Sequence, residues 1–185
     1  MDRLHLILDN NSPALQWANQ QMDKIGARGH VGTHLDCYLT TPERSEYIIS
    51  AYIIDCTMKM PDMSELQNVP PLDGQALVLL TDNLGKNEYG TKEYFDTDTF
   101  LTEDLLQIIL EKKPLFIIID SHGIGEKGIK HITLDKICEK NKCHVIENVD
   151  LSSLKGRQSI QLKIIIDIKN QSTGKPCELY NLSIE

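Results

Sequence analysis

The apolar run Leu115-Phe116-Ile117-Ile118-Ile119, entered from Pro114 and ending at Asp120, constrains this chain more than any other segment. A short, continuous, β-branched run has the pattern of a buried strand. Ala76-Leu77-Val78-Leu79-Leu80-Thr81 has the same character, and residues 50–57, with Ala51-Tyr52-Ile53-Ile54-Asp55, are a third β-rich stretch. Residues 4–8 read as a first strand and 143–146 as a short one with Glu147 at its end. Residues 160–169 and 177–184 read as two strands joined by a polar turn at Ser172-Thr173-Gly174. A helix is predicted over residues 14–25, with Ser12-Pro13 as cap and first-turn proline and Gly26 as its stop. Two more are predicted over residues 102–112, with Leu105, Leu106, Ile109 and Leu110 inward, and over residues 134–141. Residues 61–71 are turn-rich and read as a surface connection. Residues 82–98 read as a long polar loop of the kind that covers a site. The order is that of a mixed α/β domain.

With 185 residues, 41% hydrophobic and 25% charged, the chain has the composition of one globular domain, residues 1–185, rather than of a disordered segment. A net charge of −8 with scattered lysines argues against a nucleic-acid partner. The start, Met1-Asp2-Arg3, has no apolar signal run, and no stretch reaches the ~18 apolar residues of a membrane span. A cytoplasmic protein is expected. Cys37, Cys56, Cys138, Cys143 and Cys177 contain no C-x-x-C pair and are expected to be reduced, mostly buried thiols.

The chemistry concentrates in His30-Val31-Gly32-Thr33-His34-Leu35-Asp36. On a strand, side chains alternate faces, so His30, Gly32, His34, Asp36, Tyr38 and Thr40 share one face. Val31, Thr33, Leu35, Cys37 and Leu39 share the other, mainly apolar face. That arrangement places imidazoles and a carboxylate over a site while the reverse side enters the core. His34 and Asp36 are about 6.6 Å apart along a strand and can converge on one ion, but His30 lies about 13 Å from His34. A metal site therefore requires a kink or bulge, and Gly29 and Gly32 permit one. Otherwise these residues are simply the polar face of a solvated strand.

The motif resembles the signature of cyclase-type metal-dependent hydrolases, the family that includes bacterial kynurenine formamidases, with pattern H-x-G-T-H-x-D-x-P-x-H. The resemblance extends from Gly29 to the end, through Ala51 to Asp55, Leu79-Leu80-Thr81, Ile118-Ile119-Asp120-Ser121 and His144-Val145-Ile146-Glu147-Asn148-Val149. It implies the family's swivelling β/β/α fold, a mixed sheet with helices packed against it. It also implies that His30, His34, Asp36 and Glu147 bind one or two divalent ions, zinc or manganese, which suit these nitrogen and oxygen donors. Bound water would then attack the carbonyl of a small-molecule amide or ester, as in an arylformamidase of tryptophan catabolism. Association as a homodimer or larger homo-oligomer is implied too.

Three positions depart from the pattern. Tyr38 replaces the proline, and Thr40 replaces the last histidine, which usually has the acid/base role and which threonine cannot fill. Asp135 stands where a further ligand histidine is found, twelve residues before the glutamate, and can itself bind either metal. These departures motivate a second reading, a catalytically decayed metal- or small-molecule-binding protein.

Other candidates have blander alternatives. His122, beside Gly123 and Gly125, is either a replacement base or, more economically, a surface-turn histidine. His131 is a substitute ligand only if the helix register shifts. His144, three residues before Glu147, falls on the opposite face of a strand and reads as structural, and Cys37 reads as core. Asp120-Ser121-His122 lacks triad spacing and a G-x-S-x-G elbow, Gly123-Ile124-Gly125 is too short for a dinucleotide fingerprint, and Trp17 reads as a helix packing residue.

Overall fold

Alternation along the buried strands sets the architecture. In β4 (Ala76–Leu80) and β5 (Phe116–Ile119) every residue is buried. Ala76, Val78, Leu80, Phe116 and Ile118 join one apolar cluster, and Leu77, Leu79, Ile117 and Ile119 join another. A strand with both faces apolar must be covered on both sides. Here one cover is the far wall of a closed barrel and the other is a layer of helices.

The computed structural model describes residues 1–9, 11, 12, 15, 16 and 29–183. Apart from Leu15 and Gln16, the helix expected over residues 14–25, including Trp17, lies outside them. The remaining strands are β1 (Asp2–Arg3), β2 (His34–Asp36), β3 (Glu46–Asp55), β6 (His144–Glu147), β7 (Ser159–Ile166) and β8 (Gly174–Asn181). Around the wall they run β8-β2-β6-β5-β4-β3-β7, and β7 pairs with β8 to close the ring. β1 extends the edge of β8 beyond β2. The β3–β4, β4–β5 and β5–β6 pairs are parallel and the others antiparallel, so the sheet is mixed, as the resemblance implied.

Helices α1 (Met63–Gln67), α2 (Asn83–Lys86), α3 (Lys92–Asp96), α4 (Glu103–Glu111) and α5 (Ile129–Lys140) complete the described elements with a 3₁₀ turn at Ser152–Leu154. Leu66, Leu106, Ile109, Leu110, Leu134 and Cys138, from α1, α4 and α5, pack on the outward residues of β4 to β6. The barrel interior is filled from the opposite wall by Ile160, Leu162, Ile164, Ile166 and Leu179. On β7 the burial alternates, so that half of the wall faces solvent. The five cysteines are buried free thiols. Among the described residues no helix is long and apolar enough to cross a membrane.

Two segments differ from the sequence reading. The first strand covers only Asp2–Arg3, with a single bridge at His5 to Val149, because the Leu6 amide leaves the sheet to donate to Thr33 Oγ1. Residues 61–71 are not a plain surface connection. Asp62 and Glu65 form a reciprocal capping box that starts α1, and Leu66 and Val69 enter the core with Leu72 just beyond.

At the mouth of the barrel, Gly29 and Gly174 meet backbone to backbone. A Cβ on Gly174 would lie 2.5 Å from both the Gly29 carbonyl carbon and oxygen. Gly174 also pairs with Asp36 across β2 and β8. Gly174→Ala is therefore expected to cost about 1–3 kcal/mol in urea unfolding, through overpacking of backbone that cannot yield. An unchanged midpoint would mean that this close approach is relaxed in solution.

Candidate metal centre and cavity

The β2–β6 pair divides core from chemistry. His34 lies opposite Glu147 and Leu35 opposite Ile146. Leu35, Cys37 and Ile146 point into the barrel core. His34, Asp36 and Glu147 have the other parity and face outward, yet all are at most 3% exposed. α5 covers them.

The predicted bend is present at Gly32, whose φ of 73° takes the chain off the strand path. His30 consequently folds back, with Nδ1 3.0 Å from Asp36 Oδ1 and 3.3 Å from His34 Nε2. Strand alternation does not extend as far as expected, since β2 ends at Asp36. Beyond it, the amides of Tyr38, Leu39 and Thr40 all donate to the Glu139 carboxylate. Thr40 Oγ1 also donates to Glu139, and His144 Nε2 lies 3.2 Å from the Thr40 carbonyl. Thr40 and His144 thus belong to a scaffold contact.

α5 begins at Ile129, five residues ahead of the expected start, and carries His131 one turn before Asp135. Residues four apart share a helix face, so both reach the centre. His131 Nε2 lies 3.1 Å from Asp36 Oδ2, 3.3 Å from Asp135 Oδ2 and 3.4 Å from Glu147 Oε1. The donors fall into two groups sharing Asp36: His30, His34 and Asp36, and then Asp36, His131, Asp135 and Glu147. Within each group the candidate ligand atoms lie within 4.8 Å of one another. All five residues singled out in the sequence come together, and His131 joins them. The sequence reading offers His131 only as a substitute for Asp135 under a shifted register, whereas the earlier helix start brings both to the cluster at i, i+4 spacing.

The electrostatics of this cluster favour a cation. Burial pushes Glu147 well above the usual carboxylate range, and the Asp36 charge adds to the rise. Asp135 is raised for the same two reasons. Burial also opposes the charge on Asp36, but contacts with His131, His30 and His34 outweigh it and hold Asp36 low. His34 rises to about 9 because Asp36 and Glu147 overcome the desolvation that would keep it neutral. Asp36 Oδ1, both Asp135 oxygens and Glu147 Oε1 are buried without accepting a hydrogen bond. Such oxygens are costly unless something positive completes them. The donor set therefore fits one or two divalent ions, with Asp36 able to serve both.

Supporting bonds fix these ligands. His34 Nδ1 lies 2.9 Å from the Gly32 carbonyl, which directs Nε2 at the cluster. Asn148 Nδ2 donates to the same carbonyl, and the Gly32 amide donates to the Tyr89 hydroxyl. In front of the cluster lies a cavity of about 680 Å³, whose lining includes His30, Val31, Tyr89, Phe95, His122, Lys127 and Glu147. The segment at residues 82–98 folds into α2 and α3 and supplies Tyr89 and Phe95 to this wall. His122 is not a surface-turn histidine. It is 7% exposed and surrounded edge-on by Tyr94, Phe95 and Phe100. Burial lowers it to about 4, with the Lys127 and His131 charges adding to the effect.

A closed mixed barrel thus carries a buried histidine and carboxylate cluster on its outer wall. No protein-family model matches the sequence, and no curated protein matches it. Among solved structures, a potential metal-dependent hydrolase with cyclase activity superposes with a TM-score of 0.70 at 15% identity, covering 99% of this chain and 98% of that one. A novel cyclase gives 0.68 at 13% identity over 98% and 87% of the two chains. Isatin hydrolase bound to the product analogue thioisatinate gives 0.60 at 18% identity over 84% and 73%. The chain shares their fold.

Glu147 offers a direct check on the electrostatics. Because its folded-state pKa is raised, its favourable contribution is present below the unfolded carboxylate range and is lost as pH rises. At neutral pH, without a cation, the carboxyl is a liability that glutamine lacks. Glu147→Gln is expected to melt at or above the wild-type temperature in chelator and to lose most of the stabilisation conferred by zinc or manganese. A variant clearly less stable than wild type in chelator would contradict this electrostatic account.

Proposed function

We propose that the protein is a metal-dependent hydrolase of a small-molecule amide or ester, arylformamidase-like in its substrate. The observation that carries this reading is the set of buried carboxylate oxygens without hydrogen bonds, packed against three imidazoles at the floor of a cavity. His30, His34, Asp36, His131, Asp135 and Glu147 would hold one or two ions, with zinc or manganese suiting the mixed nitrogen and oxygen donors. Such an ion supplies Lewis acidity toward a carbonyl and lowers the pKa of water.

The chain's own residues account for binding and orientation. Tyr89, Phe95 and Val31 give the cavity apolar walls that suit an aromatic amide. Lys127 sits with its amine 4.4 Å from the Phe95 ring centre, where it can pair with an anionic substituent on the substrate. The bond that His34 Nδ1–H donates to the Gly32 carbonyl keeps that ring oriented while a substrate enters.

A second reading, a binding protein that has lost catalysis, is favoured by one observation. Thr40 stands where an acid/base histidine is expected from the resemblance, and its backbone and hydroxyl are fastened to Glu139. Turnover by metal-loaded protein separates the two readings.

Purified protein is expected to retain a divalent transition metal, measurable by elemental mass spectrometry, and to hydrolyse N-formyl aromatic amines or cyclic amides. Chelation should abolish turnover, and restoring zinc or manganese should return it. Asp36→Asn, which removes the ligand common to both groups, should reduce both metal content and kcat/KM, the latter by at least about 100-fold. Turnover that survives full metal removal, or none from any such amide or ester with metal bound, would eliminate the hydrolase reading.

A further inference from the structure

A glycine at the bend of a metal site is a weak point, because its backbone reaches many conformations unless something outside holds it. Gly32 is that bend, and its φ of 73° is what brings His30 and His34 together on Asp36. Two peptide groups flank its Cα, and both are tied down.

The directions of these bonds follow from the groups involved. A backbone amide can only donate, so the Gly32 N–H gives its proton to the Tyr89 hydroxyl at 2.8 Å. A backbone carbonyl can only accept. His34 Nδ1, 2.9 Å from the Gly32 carbonyl, therefore carries a proton, and Asn148 turns its Nδ2 amide to the same oxygen at 3.0 Å. Asn148 Oδ1 is then left to accept from the Tyr94 hydroxyl. With Nδ1 protonated, a neutral His34 has its lone pair on Nε2, the atom that faces Asp36 and Glu147. The Gly32 carbonyl thus selects the ligand atom of His34. Tyr89 holds the amide before the bend, and Tyr94, through Asn148, holds the carbonyl after it.

Both tyrosines belong to the segment at residues 82–98. Tyr94 is buried on α3, and Tyr89, between α2 and α3, meets it edge-on with 5.4 Å between ring centres. Asn83 Nδ2 donates to the Tyr94 carbonyl and to Ser121 Oγ, which anchors the segment beyond the end of β5. Tyr89 also lines the cavity in front of the cluster. Among the described residues its hydroxyl bonds only to Gly32. One side chain thus connects the wall that a substrate meets with the backbone that aims the metal ligands.

We propose that Tyr89 is a positioning residue of the metal centre, and that through it the cavity wall and the metal ion stabilise each other. The proposal rests on the metal centre of the hydrolase reading and adds to it a coupling to the wall. Tyr89 acts through the Gly32 backbone and is not itself a ligand. It restricts Gly32 to the bent form, so less conformational freedom is lost when His30 and His34 close on a cation. Coupling of this kind is reciprocal. Whatever factor the Tyr89 bond adds to metal affinity, the metal adds to the stability of that bond. A bound ion therefore holds the turn between α2 and α3 against the site.

The test is Tyr89→Phe, which removes the hydroxyl and keeps the ring, with zinc alone as the probe. The zinc Kd from chelator competition should rise about tenfold, the lower end of the range for groups that orient metal ligands. The amides of Asn87 and Thr91 bond within the turn that carries Tyr89. Their hydrogen exchange should slow when zinc binds wild type, and the slowing should be lost in Tyr89→Phe. Tyr47→Phe is the matched comparison. Its hydroxyl also accepts from a backbone amide, that of Arg44, but its ring packs on Phe116, which pairs with His144 at the other end of β6 from Glu147. That variant should leave the zinc Kd within about twofold, as expected of an independent site. A Tyr89→Phe Kd within about threefold of wild type, or wild-type exchange indifferent to zinc, would overturn the proposal and leave the hydrolase reading standing. Equal losses in both variants would overturn it too, assigning Tyr89 to general packing. Should Tyr89→Phe fail to fold, the exchange measurement on wild type decides alone. Wild type that binds no zinc would overturn both the coupling and the hydrolase reading.

Discussion

Three carboxyl groups, from Asp36, Asp135 and Glu147, share one buried space between the barrel wall and α5, and this crowding governs the rest of the site. Like charges at such separations cannot all ionise without compensation. Burial pushes Asp135 and Glu147 toward their neutral forms, while His30, His34 and His131 concentrate their contacts on Asp36 and keep it ionised. The histidines thus keep one acid charged, yet oxygens of all three acids are left without hydrogen bonds. A fold that existed only to be stable would place apolar side chains there, as it does one residue away at Leu35 and Ile146. The unfavourable arrangement makes sense when its positive partner is a cation.

Barrel closure lets the chain bear that cost. The parallel strands β4 and β5 are apolar on both faces, and each face meets a complete cover, the far wall inside and α1, α4 and α5 outside. The strand pair β2–β6 uses the same inner core but replaces its outer apolar face with His34, Asp36 and Glu147. Because parity separates the faces, the chemistry can change without disturbing the interior. α5 does the same in reverse, with Leu134 and Cys138 packed on the wall and His131 and Asp135 directed at the cluster.

Much of this was legible in local patterns and some of it was not. The apolar runs at residues 76–81 and 115–120, the bend near Gly32, and the placing of Leu35 and Cys37 in the core follow from periodicity and glycine chemistry within a few residues. Closure depends on β7 meeting β8 while β8 also meets β2, about 140 residues away in sequence, and no local pattern encodes that. α5 starts earlier than its pattern indicates because Gly128 supplies its cap without a side-chain signal, and the later expected start is what made His131 a ligand only under a shifted register. His122 looked exposed because it follows a strand and precedes glycine. Its burial comes from Tyr94, Phe95 and Phe100, residues of a polar segment whose folding over the site shows only in three dimensions.

The cavity therefore holds one residue type in two electrical states. His34, between Asp36 and Glu147, is driven toward the cation, whereas His122, caged by aromatic edges near Lys127, is driven toward neutrality. Both effects begin with the same desolvation, and the sign is decided by whether a carboxylate or a cation stands next to the ring. Imidazoles beside carboxylates bind a metal once they give up their protons, and an imidazole enclosed by aromatic edges stays uncharged. The division of labour among the histidines is thus set by the neighbours each ring receives from the fold.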